Sequence, residues 1–408
     1  WERRYDLPQP SRTSGGHRLY SQYDIEIVKW LIEKQGEGLS ISRAVELWNR
    51  LIAEGREPLQ EQRQAERADA AVDPVVSGPA LAELSEAWVA ACMDYDEQRA
   101  ESLLTKAFAL YPPEVVCVNV MQDGIAKLGQ MWYDDEASVQ QEHFASALAM
   151  RRLNSLLAAA PQPTRNGRIL LACPPEEHHT FVPLMLTLML RYQGWDVLYL
   201  GANVPQNRFE STLSRVKPHL IILTAQQLYT ASTLYDLYWS VDSENADLAF
   251  GGLIFINTPS LRQRIPGHFL GESLEEAVET VEHLLTNQTK APVTVTPHPI
   301  YGEALSEFRL QQALIERDVW QTMEGKGASY EHVVNANYHM ARDISAALTL
   351  GDMEYLGPEV DWVEKLLINY KFPSNVLGRF LAAYAAAAGK FIRQDNSPLL
   401  AWLDRGTN

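Results

Sequence analysis

The residues best suited to chemistry in this 408-residue chain gather between positions 165 and 290. Glu177-His178-His179 follows the apolar run Arg168–Cys173. Gly201, Thr224 and the pair Gly251-Gly252 each close a later apolar run. Carboxylate, imidazole, hydroxyl and paired glycine at the ends of such runs are the makings of a ligand site, because glycine lets a ligand approach the backbone closely. A second set lies upstream. Trp132 ends one helical pattern, and after nine intervening residues Glu142-His143 stands on the next. His332 and His339 lie two helical turns apart near the C-terminus and are assigned no role. Cys92, Cys117 and Cys173 stand alone in apolar sequence without metal-ligand spacing, which predicts buried, reduced thiols.

The elements that must position these residues read as α/β. Arg168–Cys173, Trp195–Leu200, Leu220–Thr224 and Leu248–Gly252 are four short apolar strands, separated by helical patterns and followed by a helix over 273–287. This alternation predicts a doubly wound parallel sheet over 165–290, with ligands at the carboxyl ends of its strands. No G-x-G-x-x-G follows the first strand, so the dinucleotide fingerprint is absent. Ahead of the sheet, helical patterns at 80–92, 96–110, 112–132 and 136–159 predict a four-helix bundle over 80–160. Behind it, Pro292, Pro297 and Pro299 mark a linker. A C-terminal helical bundle over 302–408 follows, with patterns at 302–322, 329–350, 358–371 and 373–393. It carries no motif, and a dimerisation or partner-binding role is expected, with an accessory sensor as the alternative.

Residues 1–72 read differently. Pro8, Pro10, Gly15 and Gly16 break any long helix. Arg12 precedes a Ser-Gly-Gly tip and His17-Arg18-Leu19-Tyr20 follows it, the pattern of a small hairpin with basic residues near its tip. Ser21 then caps a helix bearing Ile25, Ile27, Val28, Leu31 and Ile32, and a second helix carries Ala44, Val45, Trp48 and Leu51. The formal net charge of −17 is unevenly spread. Residues 1–67 hold eleven basic and eleven acidic side chains, so the whole excess lies beyond them. A small arm that touches phosphate and a larger body that does not would be charged in this way. Apolar stretches are broken well before the roughly 20 residues of a membrane span, and the N-terminus is not a signal peptide. A cytoplasmic protein is expected.

Three resemblances sharpen these readings. The run from Trp1 to Asp24, WERRYDLPQPSRTSGGHRLYSQYD, resembles the DNA-binding domain of MerR-type regulators. That implies a winged-helix arm in which Arg3, Arg4, Arg12, His17, Arg18 and Tyr20 approach double-stranded operator DNA. The family places a further helix and most of its recognition helix before this point, so the arm is expected to be partial. The second resemblance is to cobalamin-binding domains, through Glu177-x-His179-x-x-Val182, Gly201–Gln206, Thr224 and Gly251-Gly252. It implies His179 as lower axial ligand to cobalt, Glu177 orienting its other nitrogen, and Thr224, Gly251 and Gly252 along the nucleotide tail. Val182 stands where that family has glycine, which puts two methyl groups in the path of the tail. Finally, a bundle with Trp132 and Glu142-His143 ahead of such a domain is similar to CarH-type photoreceptor repressors. This implies Trp132 over the upper face of adenosylcobalamin, Glu142 at its adenosyl group, and His143 close by as an upper ligand to cobalt once light breaks the cobalt–carbon bond.

The expected function is a cobalamin-dependent, light-responsive DNA-binding regulator, not an enzyme, acting as a homo-oligomer away from membranes. Two alternatives remain at this stage. One is a corrinoid methyl-transfer carrier. The other is a regulator that has lost cobalamin or senses another tetrapyrrole.

Overall fold

The computed structural model describes residues 7, 11–12, 18–19, 27–31, 34, 41–53, 58, 79–239, 241, 246–287, 289, 292–326, 329–373, 375–393 and 397–406. The chain divides into two compact units, residues 1–82 and 83–408.

In the first unit, β1 (Ser11–Arg12) and β2 (Arg18–Leu19) form an antiparallel pair, with Ser11 opposite Leu19 and Arg12 opposite Arg18. This is the hairpin that the Gly-Gly tip predicts. Residues 27–31 are helical, and α1 spans Ile41–Ala53. Ile27, Trp30 and Leu31 repeat at helical spacing, as do Ala44, Val45 and Trp48, and all six are buried in one cluster. Trp30 and Trp48 meet edge to face at 5.2 Å. The Ser21 cap and the Ile25 and Ile32 positions lie outside the described residues.

The second unit opens with α2 (Pro79–Met93), α3 (Glu97–Leu110), α4 (Pro113–Val116), a π-helical turn (Cys117–Gln122), α5 (Asp123–Tyr133) and α6 (Val139–Ala158). These make the predicted four-helix bundle, because α4, the π turn and α5 run on as one rod. Asp96 caps α3 by accepting from the Arg99 amide at 3.0 Å, and Ser138 with Gln141 forms a capping box on α6. Gly124 is required by packing: a Cβ there would lie 2.6 Å from the indole of Trp88, the largest fully buried side chain.

A five-stranded sheet follows. β3 (Arg168–Ala172), α7 (Phe181–Tyr192), β4 (Asp196–Tyr199), α8 (Phe209–Val216), β5 (Leu220–Thr224), α9 (Leu228–Trp239), β6 (Asp247–Gly251), α10 (Leu253–Asn257) and β7 (His268–Phe269) lead to α11 (Leu274–Thr286). All neighbours are parallel, in the order β4-β3-β5-β6-β7. The winding reverses between β3 and β5, so a crevice opens where the loops after those two strands part. β7 was not foreseen, since two residues are too few to show a period.

The last helices are α12 (Pro299–Met323), α13 (Tyr330–Leu350), α14 (Gly357–Asn369), α15 (Val376–Phe391) and α16 (Pro398–Gly406). Their core is not separate from that of the sheet. One buried cluster runs from Leu170, Ile221 and Phe250 through Leu234 on α9 to Phe308, Ile344 and Tyr384. A sequence pattern shows which face of a helix is apolar, but not which neighbour covers it. Here α13 is laid against α9.

Candidate functional site

The site is built outward from Glu177. Its loop leaves β3 and is pinned to the loop after β4: the Val204 amide donates to the Cys173 carbonyl at 3.0 Å and the Asn203 amide to the Glu177 carbonyl at 2.9 Å. The Glu177 side chain is fully buried, at 0% exposure. One carboxylate oxygen accepts from the His179 amide at 2.8 Å and from His179 Nδ1 at 2.7 Å. The other accepts from the Gln226 amide and from Thr230 Oγ1, each at 2.7 Å. Burial alone would raise the Glu177 pKa, but the hydrogen bonds from His179, Thr230 and Gln226 outweigh it and hold the carboxyl below its usual range.

His179 answers this arrangement. Its hydrogen bond to Glu177 raises its pKa, burial opposes, and the charges of Glu177 and, from the bundle, Glu142 add to the rise. With Nδ1 committed to the carboxylate, the neutral ring keeps its lone pair on Nε2. The side chain is 58% exposed, so that lone pair is open to a metal. His178 is exposed, and it is His179 that Glu177 selects.

The other strand-end residues stand around the same crevice. Thr224 ends β5 and is buried, its hydroxyl 3.7 Å from Cys173 Sγ, a thiol that burial pushes up to about 11. Gly251 ends β6, where an added Cβ would meet only Leu270, at an ordinary 3.8 Å. Gly252 differs: at φ +121° a Cβ would overlap the Ala225 carbonyl oxygen. Gly201 has φ +86° and faces open space. Val182 sits half-buried in the first turn of α7.

On the bundle, Glu142 and His143 lie in the first turn of α6. The Glu142 carboxylate accepts from Ser146 Oγ at 2.6 Å and pairs with His143 Nδ1 at 2.7 Å, while His143 stays 74% exposed. Trp132 ends α5, half-buried, and its ring neighbours are Trp362 and Tyr370 from the C-terminal helices. Among the proposed DNA contacts, Arg12 and Arg18 are paired across the hairpin. Arg3, Arg4, His17 and Tyr20 lie outside the described residues.

Sequence reasoning passed over Gln226 and Thr230, which complete the Glu177 shell. Thr230 lies in the first turn of α9, but it shares that helix with Ser232, Thr233 and Asp236, so its type alone did not single it out. Sequence reasoning passed over Arg342 as well, whose guanidinium lies 3.3 Å from the Tyr229 ring centroid and donates to His339 Nδ1 at 2.9 Å. No group of three or more His, Cys, Asp or Glu among the described residues could hold a bare metal ion. No helix among the described residues is long and apolar enough to cross a membrane.

Family comparison reaches the four-helix bundle and the N-terminal arm. Residues 84–157 match the B12 binding domain family, and residues 1–51 match the MerR HTH family regulatory proteins. The chain is 33% identical over 236 residues to the HTH-type transcriptional repressor CarH of Myxococcus xanthus, covering 58% of this chain and 76% of the repressor. It is 30% identical over 227 residues to the repressor CarA of the same organism, covering 55% of this chain and 69% of that one. Among solved structures, the Methanosarcina barkeri monomethylamine corrinoid protein superposes with a TM-score of 0.43 at 17% identity, covering 50% of this chain and 98% of that one. Likeness that spans 76% and 69% of the two repressors makes this chain a member of the CarH and CarA family of HTH-type transcriptional repressors.

Proposed function

We propose that this protein is a light-responsive repressor that binds adenosylcobalamin at the crevice between β3 and β5 and reports its state to operator DNA, without catalytic turnover. The observation that carries this reading is the Glu177–His179 couple, a buried carboxylate that fixes the tautomer of an exposed imidazole. In this reading His179 Nε2 is the lower ligand to cobalt, and Glu177 raises its basicity and holds its plane. Thr224, Gly201, Gly251 and Gly252 line the path of the nucleotide tail. Gly251 supports this reading, because the protein itself leaves room there for a Cβ, with Leu270 at an ordinary 3.8 Å. Val182 narrows the same path.

Adenosylcobalamin supplies a cobalt–carbon bond that visible light breaks. Trp132 would cover the bound cofactor, Glu142 would contact its adenosyl group, and His143 would offer a second imidazole to the cobalt. The bundle and sheet then form a two-state element whose balance depends on what lies between them. At the other end, Arg3, Arg4, Arg12, His17, Arg18 and Tyr20 meet the operator, with the protein acting as a cytoplasmic homo-oligomer.

The test is the absorption spectrum of the protein after loading with adenosylcobalamin in the dark and again after green light. Retained corrin bands that change on illumination, and that shift or vanish in His179→Ala, support the reading. A protein that retains no corrin, or whose bound corrin is indifferent to His179→Ala, overturns it.

A further inference from the structure

The CarH and CarA resemblance leaves the C-terminal bundle without a role, yet this bundle touches both the sheet, at α9, and the four-helix bundle, at the end of α5. On the sheet side, α13 packs along α9 and Arg342 lies flat on Tyr229, in the turn that also carries Thr230. On the other side, α14 and the two residues after it reach the end of α5. Trp362 stacks on Tyr133 at 5.7 Å with an interplanar angle of 26°. The Trp132 ring lies 6.5 Å from that of Trp362 and 6.4 Å from that of Tyr370. The Tyr370 hydroxyl donates to the Trp132 carbonyl at 2.9 Å, and Asn369 Nδ2 donates to the Tyr133 carbonyl at 2.8 Å. These are acceptors at a helix C-terminus, where helical donors run out.

The strap between these anchors is lightly packed. Met353, Tyr355 and Leu356 are buried at its base, but α14 contributes no fully buried side chain among the described residues. Beyond that base it is held by the aromatic cluster, by the hydrogen bonds of Tyr370, Asn369 and Tyr133 to backbone carbonyls, by the Lys371–Asp135 pair and by half-buried Leu367 against the core. Few buried apolar contacts make such an element the low-stability part of a fold.

We infer that Trp362 and Tyr370 are positioning residues for Trp132, and that the C-terminal bundle completes the cofactor chamber by tying the end of α5 to the sheet. The inference rests on the reading that Trp132 faces the cofactor. It assigns the bundle an intramolecular task, setting the ring of Trp132 and the separation of the two walls.

The experiment compares full-length wild type with Trp362→Ala, Tyr370→Phe, Trp362→Phe, Trp132→Ala and His179→Ala. Hydrogen exchange over residues 126–137 is measured without cofactor, and adenosylcobalamin affinity by absorption titration in the dark. Trp362→Ala is expected to speed exchange there and weaken binding about three- to tenfold, the range for losing an aromatic pair. Tyr370→Phe is expected to show a smaller change in both, and Trp362→Phe to restore both. The unfolding midpoint of the cofactor-free protein should stay within a degree or so, because Trp362 is exposed on a helix that contributes no fully buried side chain among the described residues. If exchange at 126–137 does not respond, or if Trp132→Ala weakens binding while Trp362→Ala does not, the positioning role is overturned and the site reading stands. If neither Trp132→Ala nor His179→Ala affects binding, both fall.

Discussion

Four hydrogen-bond donors converge on the Glu177 carboxylate, two from His179 and one each from Gln226 and Thr230. Glutamine cannot replace it in kind, because one of its two ends is itself a donor. Glu177→Gln is expected to cost about 1–3 kcal/mol of stability through buried donors left unpaired. It should also weaken corrin binding about 10- to 100-fold through loss of the imidazole's orienting partner. Thermal unfolding without cofactor and a dark titration separate the two effects. Val182→Gly should act in the opposite sense on binding, tightening it, while costing about 1 kcal/mol as glycine enters a helix. An unchanged or weaker affinity would show that Val182 is not in the path of the tail. At this scale the sequence was generous with ligands and silent on their supports. Glu177, His179, Thr224 and the glycine pair are named by type and spacing. Gln226 acts through its backbone amide, which any residue has, so no side-chain pattern marks it.

At the scale of elements, α13 carries a titration of its own. Asp343 is pushed from its ordinary value of 3.8 to about 7, by burial first and by the charge of Glu359 next, with Arg342 opposing. The folded protein therefore keeps a proton that the unfolded chain has already released. The stabilisation from this carboxyl is complete below about pH 3.8 and is lost as the pH rises toward about 7. Asp343→Asn should flatten this slope, so that unfolding midpoints taken at about pH 5 and about pH 8 differ less than in wild type. A slope as steep as wild type would place the titration elsewhere. The helices themselves were largely legible, because α2, α3, α6, α12 and α13 carry long apolar periods. The two-residue β7 and the nine-residue α16 are too short for such a signal. Nor could a pattern report that Trp132 meets Trp362 across 230 residues of chain, since the type and position of a Trp do not say what its ring packs on.

For the whole molecule, the uneven charge is the feature that decides how it meets DNA. The acidic body repels phosphate, so the arm must supply the attraction locally. Affinity for operator DNA is then expected to fall steeply with salt. Arg12→Ala should reduce the slope of log affinity against log salt by about one, with little change between operator and unrelated sequence. Fluorescence anisotropy at several salt concentrations measures both, and an unaltered slope would remove Arg12 from the phosphate contacts. The order of helical and strand-bearing regions and the parallel sheet follow from where the period of the apolar residues changes, whereas the division into two units does not. The join between sheet and C-terminal helices does not, because it is made by tertiary contact alone.

That join bears on how such a protein can be shortened or recombined. Leu234 on α9 and Ile344 on α13 belong to one buried cluster, and Tyr235 lines a cleft with Leu348 and Thr349. A chain cut in the proline-rich stretch at 292–299 would leave that flank of α9 bare and invite aggregation. Any exchange of sensors between regulators, in evolution or by design, must therefore carry sheet and bundle together as a single cassette.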